Sequence, residues 1–344
     1  MIHLITGGSG FLGNLIAKEL LKRGEEVRIA DVWDDPQRHP RIQFIHCDVR
    51  DRAKVREALS GVNIVHHNAA MVPLTKSSKG FLDVNVTGSR TVAEEAAKTG
   101  IVGCFVHMSS SAVYGTPADC PITLDTPTNP IEPYGHSKLE GELAVRHVCK
   151  DFHMPLIVIR PRTILGPGRL GIFQILFNWI RSNVNVYTIG SGNVPFQFVH
   201  AQDLMDAYML AVERGKAGIY NVGTDRYGTL RQALENLVQH AGSRSRVRSL
   251  PEWLTIHSLQ ALDAMHLSPL APWHYLTYHK PFCFDVQHVL DLGWQPRYSN
   301  DDMLQESYDM FLNGAFDQAD AKSAFSPHRK KVKESVLWLL KKVS

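Results

Sequence analysis

The sequence predicts an α/β protein in which a doubly wound parallel sheet is followed by a smaller C-terminal lobe. Three observations point to this fold class. Short apolar runs alternate with helical patterns through the first third of the chain, a glycine-rich turn directly follows the first run, and the pattern changes near Gly166. Such alternation is typical of βαβ units, whose strands pair in parallel.

The predicted strands are nearly continuous apolar runs, as expected where helices cover both faces of a sheet. They are Ile2–Thr6, Glu26–Asp31, Gln43–Cys47, Ile64–Asn68, Cys104–Ser109 and Leu156–Arg160. Helical periodicity marks the segments between them and two shorter pieces after the change of pattern. These helices are Asn14–Arg23, Asp51–Leu59, Val84–Thr99, Ile172–Ser182 and Asp203–Arg214.

Composition describes an ordinary globular chain. It has 344 residues, 44% hydrophobic and 21% charged, with a formal net charge of only +3. No basic run is interleaved with aromatic residues, so we expect no nucleic-acid binding. The five cysteines are widely spaced without a C-x-x-C pair, which predicts reduced thiols, no metal site and a cytoplasmic location. The start of the sequence also lacks the features of a signal peptide, and no apolar run is long enough to span a bilayer.

The glycine-rich turn lies where a dinucleotide would bind. Gly7, Gly10 and Gly13 are spaced by three, directly after the first predicted strand and at the start of the first helix. Glycines there permit a tight turn and bring backbone N–H groups close to a pyrophosphate, which sits at the positive end of the helix. A Rossmann-type cofactor site is therefore expected, with Phe11 and Leu12 of the same turn among its contacts.

A carboxylate predicts which dinucleotide is preferred. Asp31 ends the second predicted strand, where it can accept hydrogen bonds from the adenosine ribose. The same charge repels a 2′-phosphate, so NAD is expected rather than NADP, although Arg28, Arg38 and Arg41 lie nearby in sequence. Small or acidic residues after the third and fourth strands are further candidate cofactor contacts. These are Asp48, Val49, Ala69 and Ala70.

A tyrosine and a lysine one helical turn apart form the candidate catalytic pair. Tyr134 and Lys138 can project from one helix face toward the same ligand. Free tyrosine is a poor base at neutral pH, but a neighbouring ammonium stabilises its phenolate. A serine cluster, Ser109 to Ser111, follows the fifth predicted strand at the same sheet edge, where one hydroxyl can bond the reacting oxygen.

In combination these motifs resemble the extended short-chain dehydrogenase/reductase family over roughly residues 1–313. The resemblance implies that Ser110, Tyr134 and Lys138 are catalytic, that Pro161 borders the nicotinamide, and that the cofactor is NAD. Asn85, in Val-Asn-Val-Thr-Gly, is a further match and a candidate cofactor contact. The family's catalysts include the NAD-dependent epimerases and dehydratases and the 3β-hydroxysteroid dehydrogenases.

The resemblance also implies how the chain divides into domains. Residues 1–165 form mainly the NAD-binding domain, and residues 166–313 form mainly a substrate-binding lobe that is partly threaded back to the sheet. Residues 314–344 form a tail whose basic, amphipathic pattern fits a helix docked on the protein itself or on an anionic membrane surface. Family members suggest a homodimer, with Val84–Thr99 and Tyr134–Asp151 as the helices that pair.

The substrate is harder to predict because anionic anchors typical of nucleotide-sugar epimerases are missing. Thr163 and Phe196 stand where those enzymes usually have an asparagine and an arginine, and the stretch Trp273–Phe284 is aromatic. Arg162, Arg169, Arg181 or Arg226 are the arginines that can substitute. Residues predicted to face the substrate are Ser111, Arg162, Thr163 and Phe196.

Three functions remain open. The aromatic stretch and the basic tail resemble the 3β-hydroxysteroid branch and favour hydride transfer at a hydrophobic secondary alcohol or ketone. The alternative is a nucleotide-sugar 4-epimerase that oxidises its substrate transiently with tightly bound NAD. A catalytically silent NAD-binding regulator is disfavoured because Tyr134 and Lys138 are both present. Dehydration is disfavoured because Ser111 and Ala112 follow Ser110, where dehydratases have an acidic residue.

Overall fold

The computed structural model describes residues 1–72, 80–169, 171–214, 216–265, 267–268 and 270–314. Its strands are numbered along the chain. They are β1 (Ile2–Thr6), β2 (Glu26–Asp31), β3 (Gln43–His46), β4 (Ile64–His67), β5 (Cys104–Met108), β6 (Leu156–Pro161), β7 (Thr163–Leu165), β8 (Val186–Ile189), β9 (Pro195–Phe196), β10 (Phe198–His200), β11 (Gly218–Val222), β12 (Gly228–Thr229) and β13 (Val247–Leu250).

The helices follow the same order. They are α1 (Phe11–Lys22), α2 (Arg52–Ala58), α3 (Ser89–Thr99), α4 (Pro133–Asp151), α5 (Phe173–Arg181), α6 (Ala201–Glu213), α7 (Leu230–His240), α8 (Glu252–Ala264), α9 (Pro272–Thr277), α10 (Gln287–Leu290) and α11 (Asn300–Leu312). A wide π-helical segment, Phe81–Gly88, runs directly into α3, and a short 3-10 turn spans Ser111–Tyr114.

A seven-stranded parallel sheet forms the centre, in the order β11-β6-β5-β4-β1-β2-β3. The Rossmann-type, doubly wound fold is thereby confirmed. Successive residues of β1 show why both faces are apolar: Leu4 belongs to one hydrophobic core and Ile5 to the other. Because side chains alternate across a strand, helices must cover both faces.

The six predicted strands coincide with β1 to β6 to within one residue at each end. The seventh strand, β11, comes from the second half of the chain and pairs in parallel with β6. The second half therefore returns to the sheet. Its remaining strands form two-stranded pairs, β10 with β7, β12 with β9 and β13 with β8. The exact division at residue 165 stays a prediction.

One prediction about the cysteines is wrong. The structure pairs Cys120 with Cys283 as a disulfide, with a Cα–Cα distance of 6.0 Å, whereas we expected reduced thiols throughout. The fold brings the two segments together because Ile122 and Phe284 form a backbone bridge. A separation of 163 residues carries no local pattern that could reveal this contact.

From residue 315 onward the predicted basic, amphipathic tail lies outside the described residues, so its docking stays a prediction. Within the described part of the chain, no helix is long and apolar enough to cross a membrane.

Candidate active site

A cavity of about 540 Å³ opens at the carboxyl edge of the central sheet. Its volume falls within the range of small-molecule sites. The ends of β1, β2, β4, β5 and β6 all contribute to its wall, which is where ligands bind in open parallel sheets. The cavity joins the glycine-rich turn to the predicted catalytic residues.

The glycine-rich turn can hold a dinucleotide because side chains are excluded from it. Gly7 has a φ of +66°, and a Cβ there would lie 2.7 Å from the Cα of Ala69. A Cβ on Gly13 would overlap the carbonyl oxygen of Gly7 and the Cα of Gly8. Helix α1 begins at Phe11 without a side-chain cap, and its first turn lines the cavity, so the N–H groups at the start of the helix are available to a ligand. The turn fits the pyrophosphate of NAD.

Asp31 lies at the adenosine end of the cavity. Its carboxylate accepts hydrogen bonds from the backbone N–H of Ser9 at 3.0 Å and of Val32 at 2.7 Å. Burial raises the pKa of Asp31, and these backbone N–H groups oppose the rise. Of the three nearby arginines, Arg28 donates to the carbonyls of Ala58 and Ser60, and Arg38 pairs with Asp34. Neither of these two lines the cavity.

Tyr134 and Lys138 both line the cavity from the first turns of α4. Glu132 caps this helix by accepting hydrogen bonds from the N–H of Tyr134 at 2.8 Å and of Gly135 at 2.6 Å, which fixes where the helix starts. The amine of Lys138 is buried and donates a 2.6 Å hydrogen bond to the carbonyl of Met108. Burial lowers the pKa of Lys138 to about 8, against the opposing charge of Glu142.

Ser110 lines the cavity together with Tyr134, the predicted catalytic tyrosine. Burial raises the pKa of Tyr134, and a side-chain hydrogen bond with Ser110 acts in the opposite direction. The Ser110 hydroxyl also accepts from the N–H of Ala112 at 3.1 Å, which orients it. The hydroxyl, phenol and amine that the sequence pattern suggested are therefore brought together at one end of the cavity.

A buried ion pair lies behind Lys138. Glu142, one helical turn further along α4, accepts from Arg160 at 2.5 Å and from the Ser109 hydroxyl at 2.7 Å. Arg160 in turn donates to the Tyr114 hydroxyl at 2.7 Å. Glu142 is not among the predicted site residues, although its spacing of four from Lys138 places both side chains on the same face of the helix.

Most of the residues predicted to form the site line the cavity. They are Gly7, Gly10, Phe11, Leu12, Gly13, Asp31, Asp48, Val49, Ala69, Ala70, Ser110, Ser111, Tyr134, Lys138, Pro161, Arg162 and Thr163. The other two lie behind the wall. Asn85 accepts from the N–H of Met71 at 2.8 Å and donates to Ser137 at 2.9 Å, and Phe196 packs 4.9 Å from the ring of Tyr278. These two residues support the wall rather than lining it.

Several lining residues were not predicted individually. Trp33 lies beside the adenosine end, where its carbonyl accepts from the Ser9 hydroxyl at 2.6 Å. At the other end, Trp273, His274 and Tyr278 come from the aromatic stretch, whose pattern showed only that it is apolar. Placing them requires the path of the C-terminal lobe.

The arginines considered as substitute anchors separate into two groups. Arg162 and Arg169 line the cavity. Arg181 packs 5.1 Å from the ring of Phe311, and the guanidinium of Arg226 donates to the carbonyl of Pro296, both outside the cavity. Only the first two are therefore positioned to meet a ligand. Within the described part of the chain, no cluster of three or more His, Cys, Asp or Glu residues is arranged to hold a metal ion.

Comparisons with known proteins agree with this geometry. The model of the NAD dependent epimerase/dehydratase family matches residues 3–223. The uncharacterised protein y4nG of Sinorhizobium fredii is 39% identical, covering 98% of this chain and 85% of its own length. A putative UDP-glucose 4-epimerase of Methanocaldococcus jannaschii is 25% identical, covering 85% of this chain and 92% of its own length.

Among solved structures, the UDP-glucose 4-epimerase of Thermotoga maritima with UDP-glucose shares the fold. The TM-score is 0.75 at 22% identity, over 91% of this chain and 99% of the other. This chain therefore belongs to the NAD-dependent epimerase/dehydratase family and is an NAD-dependent enzyme of the extended short-chain dehydrogenase/reductase type.

Proposed function

We propose that this enzyme is a nucleotide-sugar 4-epimerase. The observation that carries the proposal is the grouping of Ser110, Tyr134 and Lys138 at the end of the cavity opposite Asp31. These residues can take a proton from a secondary hydroxyl and return it to the oxygen of the epimeric product. NAD, when bound, supplies the reversible redox chemistry at the same carbon.

Each of the three side chains has a separate task. The Tyr134 phenolate accepts the proton of the C4 hydroxyl and later returns it. Ser110, which lines the cavity with Tyr134, donates a hydrogen bond to the reacting oxygen and keeps it within reach of the phenol. The buried ammonium of Lys138 stabilises the phenolate because opposite charges interact strongly away from water.

Two observations favour a sugar over the hydrophobic alcohol that the aromatic stretch suggested. Relatives in the family include proteins named as UDP-sugar 4-epimerases. The cavity wall also contains two arginines, Arg162 and Arg169, whereas an apolar substrate would leave such donors buried against hydrocarbon. A polar, charged substrate satisfies them.

Dehydration is disfavoured by the distribution of carboxylates. Among the described residues that line the cavity, the carboxylates are Asp31 and Asp48, both at the adenosine end. Glu132, next to Tyr134 in sequence, is occupied as a helix cap and does not line the cavity. No described carboxylate is therefore positioned to protonate a departing hydroxyl near Tyr134.

The experiment incubates the NAD-loaded enzyme with panels of nucleotide-sugars, sterols and lipid alcohols. Chromatography follows the sugar isomers, and nicotinamide absorbance follows net reduction. Interconversion of C4 epimers without accumulated NADH is the expected result. Net reduction with an apolar alcohol, and no epimerisation, would overturn the proposal.

The predicted homodimer is also a proposal. It would pair α3 and α4 with their counterparts in a second subunit, and it is supported by exposed Leu82 and Leu143 beside and within these helices. A cytoplasmic location stays a prediction. Sedimentation of the purified protein tests the dimer directly.

A further inference from the structure

Arg162 is a buried cation at the reacting end of the cavity. It lines the cavity wall just after β6 and is only 2% exposed. Its Nε donates to the carbonyl of Gln197 at 3.0 Å and its Nη1 donates to the Ser111 hydroxyl at 3.3 Å. The third donor nitrogen, Nη2, is buried and has no hydrogen-bond partner among the described residues.

Aromatic rings surround this guanidinium. Its centre lies 3.9 Å from the ring centroid of Phe282, 5.0 Å from Phe196 and 5.9 Å from Phe284. The rings attract the cation through its charge, but they offer no hydrogen-bond acceptor of carboxylate strength. Burial lowers the pKa of Arg162 to about 9, which leaves the side chain charged at neutral pH.

The charge has no counterion within the described part of the chain. The hydrogen-bonding partners of Arg162 there are a backbone carbonyl and a hydroxyl, both neutral. A buried ion without an opposite charge is costly, and a guanidinium binds carboxylate or phosphate oxygens best. A ligand anion at this position would satisfy both the charge and the free Nη2.

The position of Ser111 next to Ser110 indicates where on the substrate such an anion would lie. Ser111, which accepts from Arg162, is adjacent to Ser110, and both serines line the cavity together with Tyr134. In a 4-epimerase the C4 hydroxyl contacts Tyr134. The substituent on C5 is the carbon group next to C4, whereas the diphosphate leaves from C1 on the opposite side of the ring.

We infer that Arg162 binds a carboxylate carried on C5 of the sugar, so that the preferred substrate is a nucleotide-activated uronic acid. This inference rests on the proposed 4-epimerase function and specifies its substrate class. The diphosphate of the nucleotide is the competing source of an anion, and substrates with and without the carboxylate distinguish the two.

The test compares two substrate pairs on the NAD-loaded enzyme. UDP-glucuronate with UDP-galacturonate carries the carboxylate, and UDP-glucose with UDP-galactose lacks it. Arg162→Met keeps an apolar side chain of similar length among the phenylalanine rings. Arg181→Met is the matched control, because Arg181 also packs on a phenylalanine but lies outside the cavity.

The wild-type enzyme should have the higher kcat/KM for the uronate pair. Arg162→Met should reduce the ratio of uronate to neutral kcat/KM by roughly 30-fold or more, the usual effect of removing one partner of a buried charge pair. Arg181→Met should leave the ratio as it is. UDP, which has no sugar, should inhibit wild type and Arg162→Met equally.

Three results would overturn the inference while leaving the 4-epimerase proposal intact. These are a wild-type preference for the neutral pair, equal losses on both pairs in Arg162→Met, and weaker inhibition of that variant by UDP. If the wild-type enzyme interconverts none of these sugars, the proposed function is refuted instead. If Arg162→Met does not fold, calorimetry on wild type decides, since UDP-glucuronate must then bind more tightly than UDP-glucose.

Discussion

The amine of Lys138 lies 2.6 Å from the backbone carbonyl of Met108, the last residue of β5. This hydrogen bond ties the first turns of α4 to the sheet edge from which Ser110 projects two residues later. The phenol and the serine hydroxyl that are predicted to be catalytic therefore belong to two elements that the lysine holds together. The arrangement makes the protonation state of Lys138 important for both geometry and charge.

Glu142→Gln should shift the alkaline limb of the pH–kcat profile to lower pH. The carboxylate raises the pKa of Lys138, which burial lowers to about 8. Without it, the ammonium is lost at a lower pH, and the tyrosine phenolate loses its stabilising charge. Glu140→Gln, on the exposed side of the same helix, is the control. An unmoved alkaline limb in Glu142→Gln would argue that Lys138 does not set it.

The same substitution should also lower stability. Glu142 is the buried partner of Arg160, and removing one member of a buried pair costs roughly 3–5 kcal/mol. In Glu142→Gln, hydrogen bonds that the glutamine amide still makes will reduce this loss of stability. Urea unfolding of this variant and of Glu140→Gln measures it, and equal midpoints would contradict the expected role of the ion pair.

Tyr134→Phe should abolish most turnover and preserve NAD binding. Loss of a positioned acid–base group lowers kcat by about 100-fold to 10,000-fold. The phenyl ring can keep its edge contact with Phe81, 5.9 Å away, so the wall is retained. Calorimetric titration with NAD and the sugar assay are run on the same preparation. Near-normal turnover would exclude Tyr134 as the proton carrier.

Asp31→Asn should narrow the preference for NAD over NADP. The amide keeps an acceptor oxygen for the ribose but removes the charge that repels a 2′-phosphate. We expect NADP affinity to rise by about tenfold, equivalent to roughly 1.4 kcal/mol. Asp34→Asn, an exposed partner of Arg38, is the control for net charge. An unchanged ratio of the two dissociation constants would count against Asp31 as the discriminating residue.

Gly13→Ala should weaken NAD binding and stability together. The added methyl group would overlap the backbone of Gly7 and Gly8, so the turn must open to admit it. Gly218→Ala is a suitable control, since a Cβ there meets nothing within 4 Å and its φ is ordinary. If Gly13→Ala binds NAD as tightly as the wild-type protein does, the turn does not hold the cofactor so closely.

The cofactor-binding part of the site was predictable from the sequence because local patterns determine it. Asp31 and the glycines occupy fixed places relative to apolar runs, and β1 to β6 follow those runs closely. Tyr134 and Lys138 could be paired because a helix places residues four apart on one face. Contacts between segments that are far apart in the sequence leave no such local pattern.

The substrate end shows that limit. The free donor of Arg162 depends on Gln197, Ser111 and Phe282, which come from three separate segments. The return of β11 to the sheet and the pairing of Cys120 with Cys283 are likewise set by tertiary packing. The aromatic stretch suggested a hydrophobic substrate because its composition alone could not reveal the arginine beside it.

A nucleotide-sugar labelled with deuterium at C4 tests the proposed 4-epimerase activity directly. A 4-epimerase of this kind removes and returns the same hydrogen within one closed site, so the epimer should form with the label retained at C4 and without accumulated NADH. Loss of the label to solvent, or reduced cofactor accumulating in proportion to product, would contradict the proposed epimerisation.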